Sequence, residues 1–431
     1  MTTAKELLKQ RCYEPIKEQP ELFVGIELEY PVVNLSGNAT DVSLTKQLLV
    51  YLLDNFDFQA DKYDSDNNPI QLIEQASGDM ILFEVSYNTI EFAFAKASRI
   101  AEVEERLDTY LSMIQPYLRN HNHELQGWGV NPNWAKNDNS PVKSPRYEML
   151  MDFLELSKAK NNPFFHNYPE YGSFICGSQV QLDVSKLSYL RVLNAFNQIE
   201  GPKAVLFANS EFWGSDWDLA ISRDVFWENS MHGVFEENAG IFPRMFKNED
   251  DYFSYLSETA IFTAKRAEET YYFEPIRAKD YLNKSAIQAW SIHGKEVSIK
   301  PSEDDFKTHR SYQFQDLTTR GTIEFRSVCT QPFSATFAPA AFHLGLLVNL
   351  ERLENILKES PFFEAFDFDY PRIRRLFSKK DISDTDLKLI FPLTEALLVC
   401  AEDGLKSRGF GEEIYLAPLK EKLKALKVQF D

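Results

Sequence analysis

Two glutamates that are two residues apart form the first stretch of this sequence that could do chemistry. Residues 24–30, Val-Gly-Ile-Glu-Leu-Glu-Tyr, alternate apolar and acidic side chains, which is the pattern of a β-strand. Glu27 and Glu29 then share one face, about 7 Å apart along the strand. An inward-facing pair of this kind needs cations, and divalent ions bound by oxygen are the usual answer. A half-exposed strand with both acids in water shows the same alternation, so this stretch alone leaves both readings open.

Two more acids stand alone among apolar residues a little further on. Residues 80–94, MILFEVSYNTIEFAF, read as two short strands that contain Glu84 and Glu91. A lone glutamate in an apolar strand is costly unless it is paired or binds a metal ion. The alternative is that each side chain simply points to water.

Later strands repeat the pattern with amides and a charge pair. In the strand at 174–184, Gln179 and Gln181 share one face with Asp183. In Thr-Ile-Glu-Phe-Arg-Ser, Glu324 and Arg326 share a face, opposite the apolar one. A structural Glu–Arg pair between strands would look the same.

A second group of residues suggests a pocket. A Trp-rich loop at 212–217 is followed by Arg223 and Trp227, and Arg320 precedes the Glu324 strand. Clustered Arg and Trp side chains often line a substrate pocket, although a packed loop is an equal alternative.

The polar residues of these strands could act together if the strands lie side by side. In one curved antiparallel sheet their polar faces would line a concave surface holding about five carboxylates, which need cations to coexist. Oxygen ligands of this kind suit Mg²⁺ or Mn²⁺. Metal ions with arginines at the rim suit phosphoryl transfer from ATP.

The elements that position these residues form an α+β fold. We predict about six antiparallel strands surrounded by helices, in a single catalytic domain over 1–431 whose C-terminal part, from about 335, is largely helical. Other predicted segments are a turn at 61–69, a helix at 146–157, and helical segments within 249–269 and 276–289.

Composition narrows the possible partners. The chain has 431 residues, a net charge of −19 and no basic run of five, which argues against nucleic acid. The four cysteines are far apart, and neither a signal peptide nor a stretch of about 18 apolar residues occurs. We therefore expect a cytoplasmic protein without a membrane span, either a monomer or a homodimer.

Taken in order, the motifs resemble those of the glutamate–cysteine ligases (γ-glutamylcysteine synthetases), within the glutamine-synthetase-like carboxylate–amine ligases. The resemblance runs from Gly25 to Pro332. Its motifs are Gly-x-Glu-x-Glu, the two isolated acids, Gln-Val-x-Leu-Asp at 179–183, Arg-x-x-x-Trp at 223–227 and Ile-Glu-x-Arg at 323–326.

The resemblance implies a curved antiparallel sheet and a defined reaction. ATP would phosphorylate the γ-carboxylate of glutamate, the amine of cysteine would attack, and γ-glutamylcysteine and phosphate would form, the first step of glutathione synthesis. Arg326 and Arg223 would be catalytic, and the substrate would be bound by Arg223, Trp227, Gln181 and Arg320. The implied ligands of Mg²⁺ (or Mn²⁺) are Glu27, Glu29, Glu84, Glu91, Gln179 and Glu324.

Three departures from the family pattern fall where the acceptor would bind. Gln181 replaces a common Asn, Glu-Asn-Ser-Met-His follows Trp227, and Ser-Val-Cys-Thr-Gln-Pro follows Arg326. Two alternatives therefore stand beside the first reading. One is a ligase that joins glutamate to a different amine, and the other is a non-catalytic binding protein on the same fold.

Overall fold

The acids predicted from the sequence lie on strands of one large sheet. The structure is a computed structural model that describes residues 2–267, 269–292 and 294–428. Its strands are β1 (Val24–Asn34), β2 (Phe58–Tyr63), β3 (Pro69–Glu74), β4 (Met80–Phe83), β5 (Thr89–Ala93), β6 (His123–Leu125), β7 (Ser178–Asp183), β8 (Ala239–Gly240), β9 (Ala260–Arg266), β10 (Glu269–Arg277), β11 (Ile287–Ser291), β12 (Glu296–Ile299), β13 (Tyr312–Gln313), β14 (Gln315–Leu317) and β15 (Thr322–Phe325).

The large sheet has nine strands, and its neighbours are antiparallel. The spatial order is β14-β15-β7-β1-β5-β4-β3-β2, and β6 pairs with the end of β1. The prediction of an α+β fold built on an antiparallel sheet is confirmed. The sheet is wider than the predicted six strands because β2, β3 and β14 are short or polar and show no clear alternation.

Helices surround this sheet. They are α1 (Ala4–Cys12), α2 (Val42–Asn55), α3 (Ile100–Asn120), α4 (Pro145–Glu155), α5 (Tyr189–Gln198), α6 (Glu200–Phe207), α7 (Arg223–Glu228), α8 (Glu249–Leu256), α9 (Ala278–Tyr281), α10 (Ala338–Val348), α11 (Leu350–Glu359), α12 (Tyr370–Phe377), α13 (Asp384–Arg408) and α14 (Ala417–Val428). No single helix in the described ranges is long and apolar enough to cross a membrane, although residues 333–348 and 350–359 together reach that length and composition with an 88° bend.

Strand β1 separates the apolar side of the sheet from its acidic side. Ile26, Leu28 and Tyr30 are buried in the core. Because side chains alternate along a strand, Glu27 and Glu29 face the opposite way. The hydrophobic effect on the first face thus fixes the position of the acids on the second.

The β2–β3 hairpin contains the predicted turn. The side chain of Asp64 accepts hydrogen bonds from the backbone N–H groups of Asp66 (2.9 Å) and Asn68 (2.8 Å), an arrangement that stabilises tight turns. This local bonding explains the acidic sequence here without a bound ion.

A second, four-stranded sheet lies next to the helical segments predicted within 249–269 and 276–289. Its order is β12-β11-β10-β9, and the predicted helical segments are α8 and α9. Aromatic and β-branched residues in β9 and β10 favour the extended form of these two strands. Strand β9 matters for the site because its residues line one side of the main cavity.

Candidate active site

The register of β1 with its two neighbours brings the sequence-distant acids together. Glu29 lies directly opposite Glu91 on β5, and Glu27 lies opposite Gln179 on β7. One strand further, Gln181 lies opposite Glu324 on β15. Residues directly opposite each other project from the same face of a sheet. The acids therefore occupy one surface instead of scattering over the outside of the molecule.

Glu29 is the best-held carboxylate of this surface. Its Oε2 accepts the backbone N–H of Gly177 at 2.6 Å, and its Oε1 accepts the amide of Gln179 at 3.2 Å. The side-chain oxygen of Gln179, Oε1, is buried and finds no hydrogen-bond partner among the residues that the structure describes. An unpartnered buried acceptor of this kind is costly, and a bound cation would satisfy it.

Glu84 reaches the same surface from a strained turn. It follows β4 directly, and Val85 after it has φ +57°, a left-handed conformation that β-branched residues rarely adopt. The hydroxyl of Tyr147 donates to Glu84 Oε2 at 2.7 Å. Tyr147 lies on α4, which was predicted at 146–157 and is observed at Pro145–Glu155.

Crowding of these carboxylates changes their acidity. The pKa of Glu27 is raised to about 7, mainly by burial and then by the charge on Glu324. The pKa of Glu29 is also raised to about 7, mainly by burial and then by the charge on Glu84. Burial and then the charges on Glu84 and Glu27 raise the pKa of Glu91 well above its ordinary value. The carboxyl groups of this surface therefore ionise less readily than free carboxyl groups unless cations are bound.

Gln181 and Arg320 lie at the far end of this surface. The amide of Gln181 donates to Glu27 Oε1 at 2.9 Å, and Arg320 Nη2 donates to Gln181 Oε1 at 2.5 Å. Arg320 is exposed, and neither residue lines the main cavity. Their contacts assign them to holding Glu27, and their predicted contact with substrate stays a prediction.

The two predicted catalytic arginines stand at the other end, at the cavity. Arg326 follows β15, and its Nη2 lies 3.3 Å from Glu324 Oε1. Arg223 begins α7, and its Nη1 donates to the carbonyl of Val328 at 2.9 Å, whereas its Nε is buried without a partner among the described residues. A Cβ on Gly177 would lie 2.4 Å from Arg223 Nη2, so the missing side chain there makes room for the guanidinium.

Trp227 belongs to an aromatic wall made of Tyr171, Trp227, His232 and Tyr312. Trp227 stacks on Tyr312 with ring centroids 5.0 Å apart, and Tyr171 meets it edge-on at 5.4 Å. The hydroxyl of Tyr171 lies 2.7 Å from His232 Nδ1. Burial lowers the pKa of His232 to about 3, so its imidazole is neutral.

A cavity of about 910 Å³ joins these parts. Of the predicted residues it is lined by Glu29, Glu84, Gln179, Arg223, Trp227 and Arg326. Glu27, Glu91, Gln181, Glu324 and Arg320 lie on the sheet face behind or beside it and do not line it. The residues predicted from the sequence therefore form two groups. One group lines the cavity, and the other lies on the sheet face next to it.

Charge in this cavity opposes that of the whole protein. Among the described residues, eight arginine and lysine side chains line it against three acids, although the net charge of the chain is −19. The cations are Arg11, Lys62, Arg146, Arg223, Lys265, Lys307, Arg310 and Arg326. A cationic cleft in an acidic protein attracts a polyanion.

Several lining residues were missed by sequence reasoning. Arg146 and Tyr147 open α4, Arg310 precedes β13, and Tyr171 lies in a short 3-10 turn. None belongs to a motif with fixed spacing. Only the Pro145 start of a helix directly after a long loop could have drawn attention to Arg146.

The carboxylates do not form a ready-made metal site as they stand. In the described ranges, no three His, Cys, Asp or Glu side chains are grouped so as to hold an ion. Their oxygens accept instead from Gln181, Gly177 and Tyr147. The all-oxygen donor set and the orphaned Gln179 Oε1 nevertheless fit a hard divalent cation, which would replace some of these hydrogen bonds.

Comparison with known proteins gives a consistent result. The model of a family described as glutamate-cysteine ligase family 2 matches residues 23–425. A chloroplastic glutamate–cysteine ligase from Solanum lycopersicum is 22% identical over 319 residues, covering 69% of this chain and 54% of the relative. A chloroplastic glutamate–cysteine ligase A from Oryza sativa subsp. indica is 21% identical over 389 residues, covering 86% and 72%. The chain spans about half the length of most of the curated relatives it matches.

Two solved structures are also similar. A bifunctional glutathione synthetase from Pasteurella multocida has a TM-score of 0.49 at 11% identity, covering 98% of this chain and 50% of that one. A glutamate–cysteine ligase from Francisella tularensis in complex with AMP has a TM-score of 0.42 at 12% identity, covering 95% and 82%.

Proposed function

The chain belongs to glutamate–cysteine ligase family 2, and from that premise we propose that it joins the γ-carboxylate of glutamate to the amine of cysteine at the expense of ATP. The single observation that carries this proposal is the cationic cavity set against the acid-bearing face of the sheet. A polyphosphate needs cationic neighbours, and carboxylates beside it need metal ions.

We propose the sheet acids as the ligands of a divalent ion. Glu29, Glu84 and Gln179 would hold it at the cavity, with Glu27, Glu91 and Glu324 behind them. When bound, Mg²⁺ or Mn²⁺ supplies positive charge that screens the phosphate oxygens of ATP. Since the pKa values of Glu27 and Glu29 are raised, protons can neutralise these carboxylates whenever no cation is bound.

The reaction then needs positioning and charge neutralisation. A γ-carboxylate oxygen of glutamate attacks the γ-phosphorus of ATP, ADP leaves, and an acyl phosphate forms. The unprotonated amine of the acceptor attacks the acyl carbon and forms the amide, and inorganic phosphate leaves with the carboxylate oxygen. Arg326 and Arg223 would neutralise the charge on the transferred group, a role that arginine fulfils in phosphoryl transfer.

The remaining site residues fit roles around this step. Arg310 and Lys307, both exposed at the cavity, would attract the triphosphate. The aromatic wall, with Trp227 at its centre, would contact the acceptor amino acid. A continuous apolar core from Ala4 to Leu423 supports the proposal that the chain acts as a single catalytic domain.

Phosphate release with glutamate, ATP and Mg²⁺ tests the choice of acceptor. With each amino acid added in turn at equal concentration, we expect cysteine to raise the rate at least about tenfold over glutamate alone, because the acyl phosphate is consumed only by a fitting amine. Mass spectrometry of the product should show γ-glutamylcysteine. Stimulation by another amine, with none by cysteine, would assign a different acceptor; no stimulation by any would reject ligation.

A further inference from the structure

A buried ion cluster lies behind the cavity, where the C-terminal helices meet the large sheet. It is formed by Glu200 and Lys203 on α6, Asp224 on α7 and Arg374 on α12, and Asp224 also lines the cavity. The side chains of Glu200, Lys203 and Arg374 are at most 2% exposed. Two positive and two negative charges are thus sequestered together, a few residues from the proposed catalytic arginines.

One side of the Arg374 guanidinium holds α7. Its Nε donates to Asp224 Oδ2 at 2.8 Å, and its Nη2 donates to Asp224 Oδ1 at 3.3 Å. Asp224 directly follows Arg223, the first residue of this six-residue helix, whose N-terminus has no side-chain cap. The pair with Arg374 therefore anchors the helix turn that carries Arg223.

Another edge of the same guanidinium holds the segment after β15. Nη2 also donates to the carbonyl of Ser327 at 3.1 Å, and Ser327 directly follows Arg326. The hydroxyl of Ser327 in turn donates to Glu200 Oε1 at 3.1 Å, and Arg374 Nη1 donates to the carbonyl of Glu200 at 3.0 Å. One side chain thus contacts the residues that follow both site arginines.

This set of contacts requires arginine. A guanidinium presents five N–H donors in a rigid plane, whereas the ammonium of lysine is a compact charge with three donors. Stability does not explain the choice, because a well-packed apolar cluster of similar volume is often at least as stable as a buried ion pair. A requirement for fixed geometry does explain it.

We propose that Arg374 is a positioning residue that holds Arg223 and Arg326 in their relative places through Asp224 and Ser327. Arg374 itself does not line the cavity, so it acts without touching substrate. This role rests on the proposed ligase reaction. It also gives the C-terminal helices a part in the chemistry beyond covering the sheet.

The variant Arg374→Lys tests this role, with Arg408→Lys as its matched control. Arg408 on α13 also donates to a carboxylate, Glu412 Oε2 at 2.7 Å, and to a carbonyl, Ser98 O at 2.6 Å, but away from the cavity. We expect kcat of Arg374→Lys to fall by about 10²-fold, since a displacement of about 1 Å costs that much. KM for ATP and glutamate should stay within about threefold, and Arg408→Lys should keep wild-type kcat.

Amide hydrogen exchange gives a readout that does not need activity. Segments 222–229 and 326–330 should exchange faster in Arg374→Lys than in wild type and be unchanged in Arg408→Lys. If the wild-type protein ligates no amine, the proposed function is wrong. The exchange result alone then tests whether Arg374 holds the two segments in place. If Arg374→Lys does not fold, Asp224→Asn replaces it; because Asp224 also lines the cavity, faster exchange in both segments, and not its kcat, then decides on the positioning role. Wild-type kcat, or unchanged exchange in both segments, overturns the positioning role.

Discussion

Replacing Arg326 with methionine should lower kcat for phosphate release by about 10³-fold. Arg326 lines the cavity beside Glu324 and would neutralise the phosphoryl group as it transfers; an arginine in that role contributes 10³-fold or more. Because the interaction belongs to the transition state, KM for glutamate should change much less than kcat. The kcat of Arg326→Lys should lie between those of Arg326→Met and wild type, since lysine keeps the charge and loses the planar fork of donors.

The matched control is Arg106→Met. The side chain of Arg106 is 23% exposed against 22% for Arg326, and it also pairs with a carboxylate, Asp79, at 2.7 Å. It does not line the cavity. We expect this variant to lose stability but to keep kcat. If Arg326→Met retained kcat within about threefold of wild type, Arg326 would have no catalytic role.

Replacing Glu29 with glutamine should lower kcat by at least about 10²-fold and raise the Mg²⁺ concentration needed for half-maximal rate. Glutamine keeps the volume and an oxygen that can accept from the N–H of Gly177, so the sheet is preserved. What it removes is one full negative charge from the proposed ion site, and divalent cations bind through such charge. Titration of activity with Mg²⁺ at saturating ATP and glutamate measures both effects.

Glu228→Gln serves as its control. Glu228 is a partly buried acid whose pKa is likewise raised to about 7 by burial and the charge on Asp224, but it does not line the cavity. Its variant should keep the wild-type Mg²⁺ dependence. An unchanged Mg²⁺ dependence in Glu29→Gln would remove this residue from the metal site.

The substitution Glu29→Gln should also stabilise the metal-free protein at high pH. Since the pKa of Glu29 is raised to about 7 in the folded state, its contribution to stability is full below the ordinary value and is lost as pH rises through 7. Glutamine carries no such loss. The midpoint of thermal unfolding, Tm, should therefore exceed that of wild type by about 3 °C at pH 8.5 and match it at pH 5. A lower Tm at pH 8.5 would mean that the Glu29 charge is stabilising.

The sequence predicts those parts of the site that are marked by a local residue pattern within one strand. Strict alternation in residues 24–30 identifies β1, and the acids Glu84, Glu91 and Glu324 mark the end of β4 and the strands β5 and β15 of the same sheet. Such patterns survive because a one-residue slip would bury charge and expose the apolar face. Convergence of the acids on one surface was therefore predictable.

Features set by tertiary packing were not predictable in the same way. Arg146, Arg310 and Tyr171 reach the cavity only through the arrangement of separate elements, and the hydrogen bonds of Arg374 span 150 residues to Asp224. The helical segments predicted within 249–269 and 276–289 are α8 and α9, whereas the strands β9 and β10 were not predicted, because short apolar runs fit both periodicities. Arg320 was predicted to bind substrate from its place before the Glu324 strand, and its exposed position and its hydrogen bond to Gln181 could not be predicted from the sequence.

The path of a single oxygen atom decides whether this sheet activates a carboxylate. Glutamate labelled with ¹⁸O in both γ-carboxylate oxygens is incubated with the wild-type protein, ATP, Mg²⁺ and cysteine, and the mass of the released phosphate is measured. If the γ-carboxylate is phosphorylated, each phosphate formed by ligation carries one ¹⁸O atom. Product formation with unlabelled phosphate would show that the glutamate carboxylate never bonds to phosphorus, and the proposed roles of the acids and arginines would be wrong.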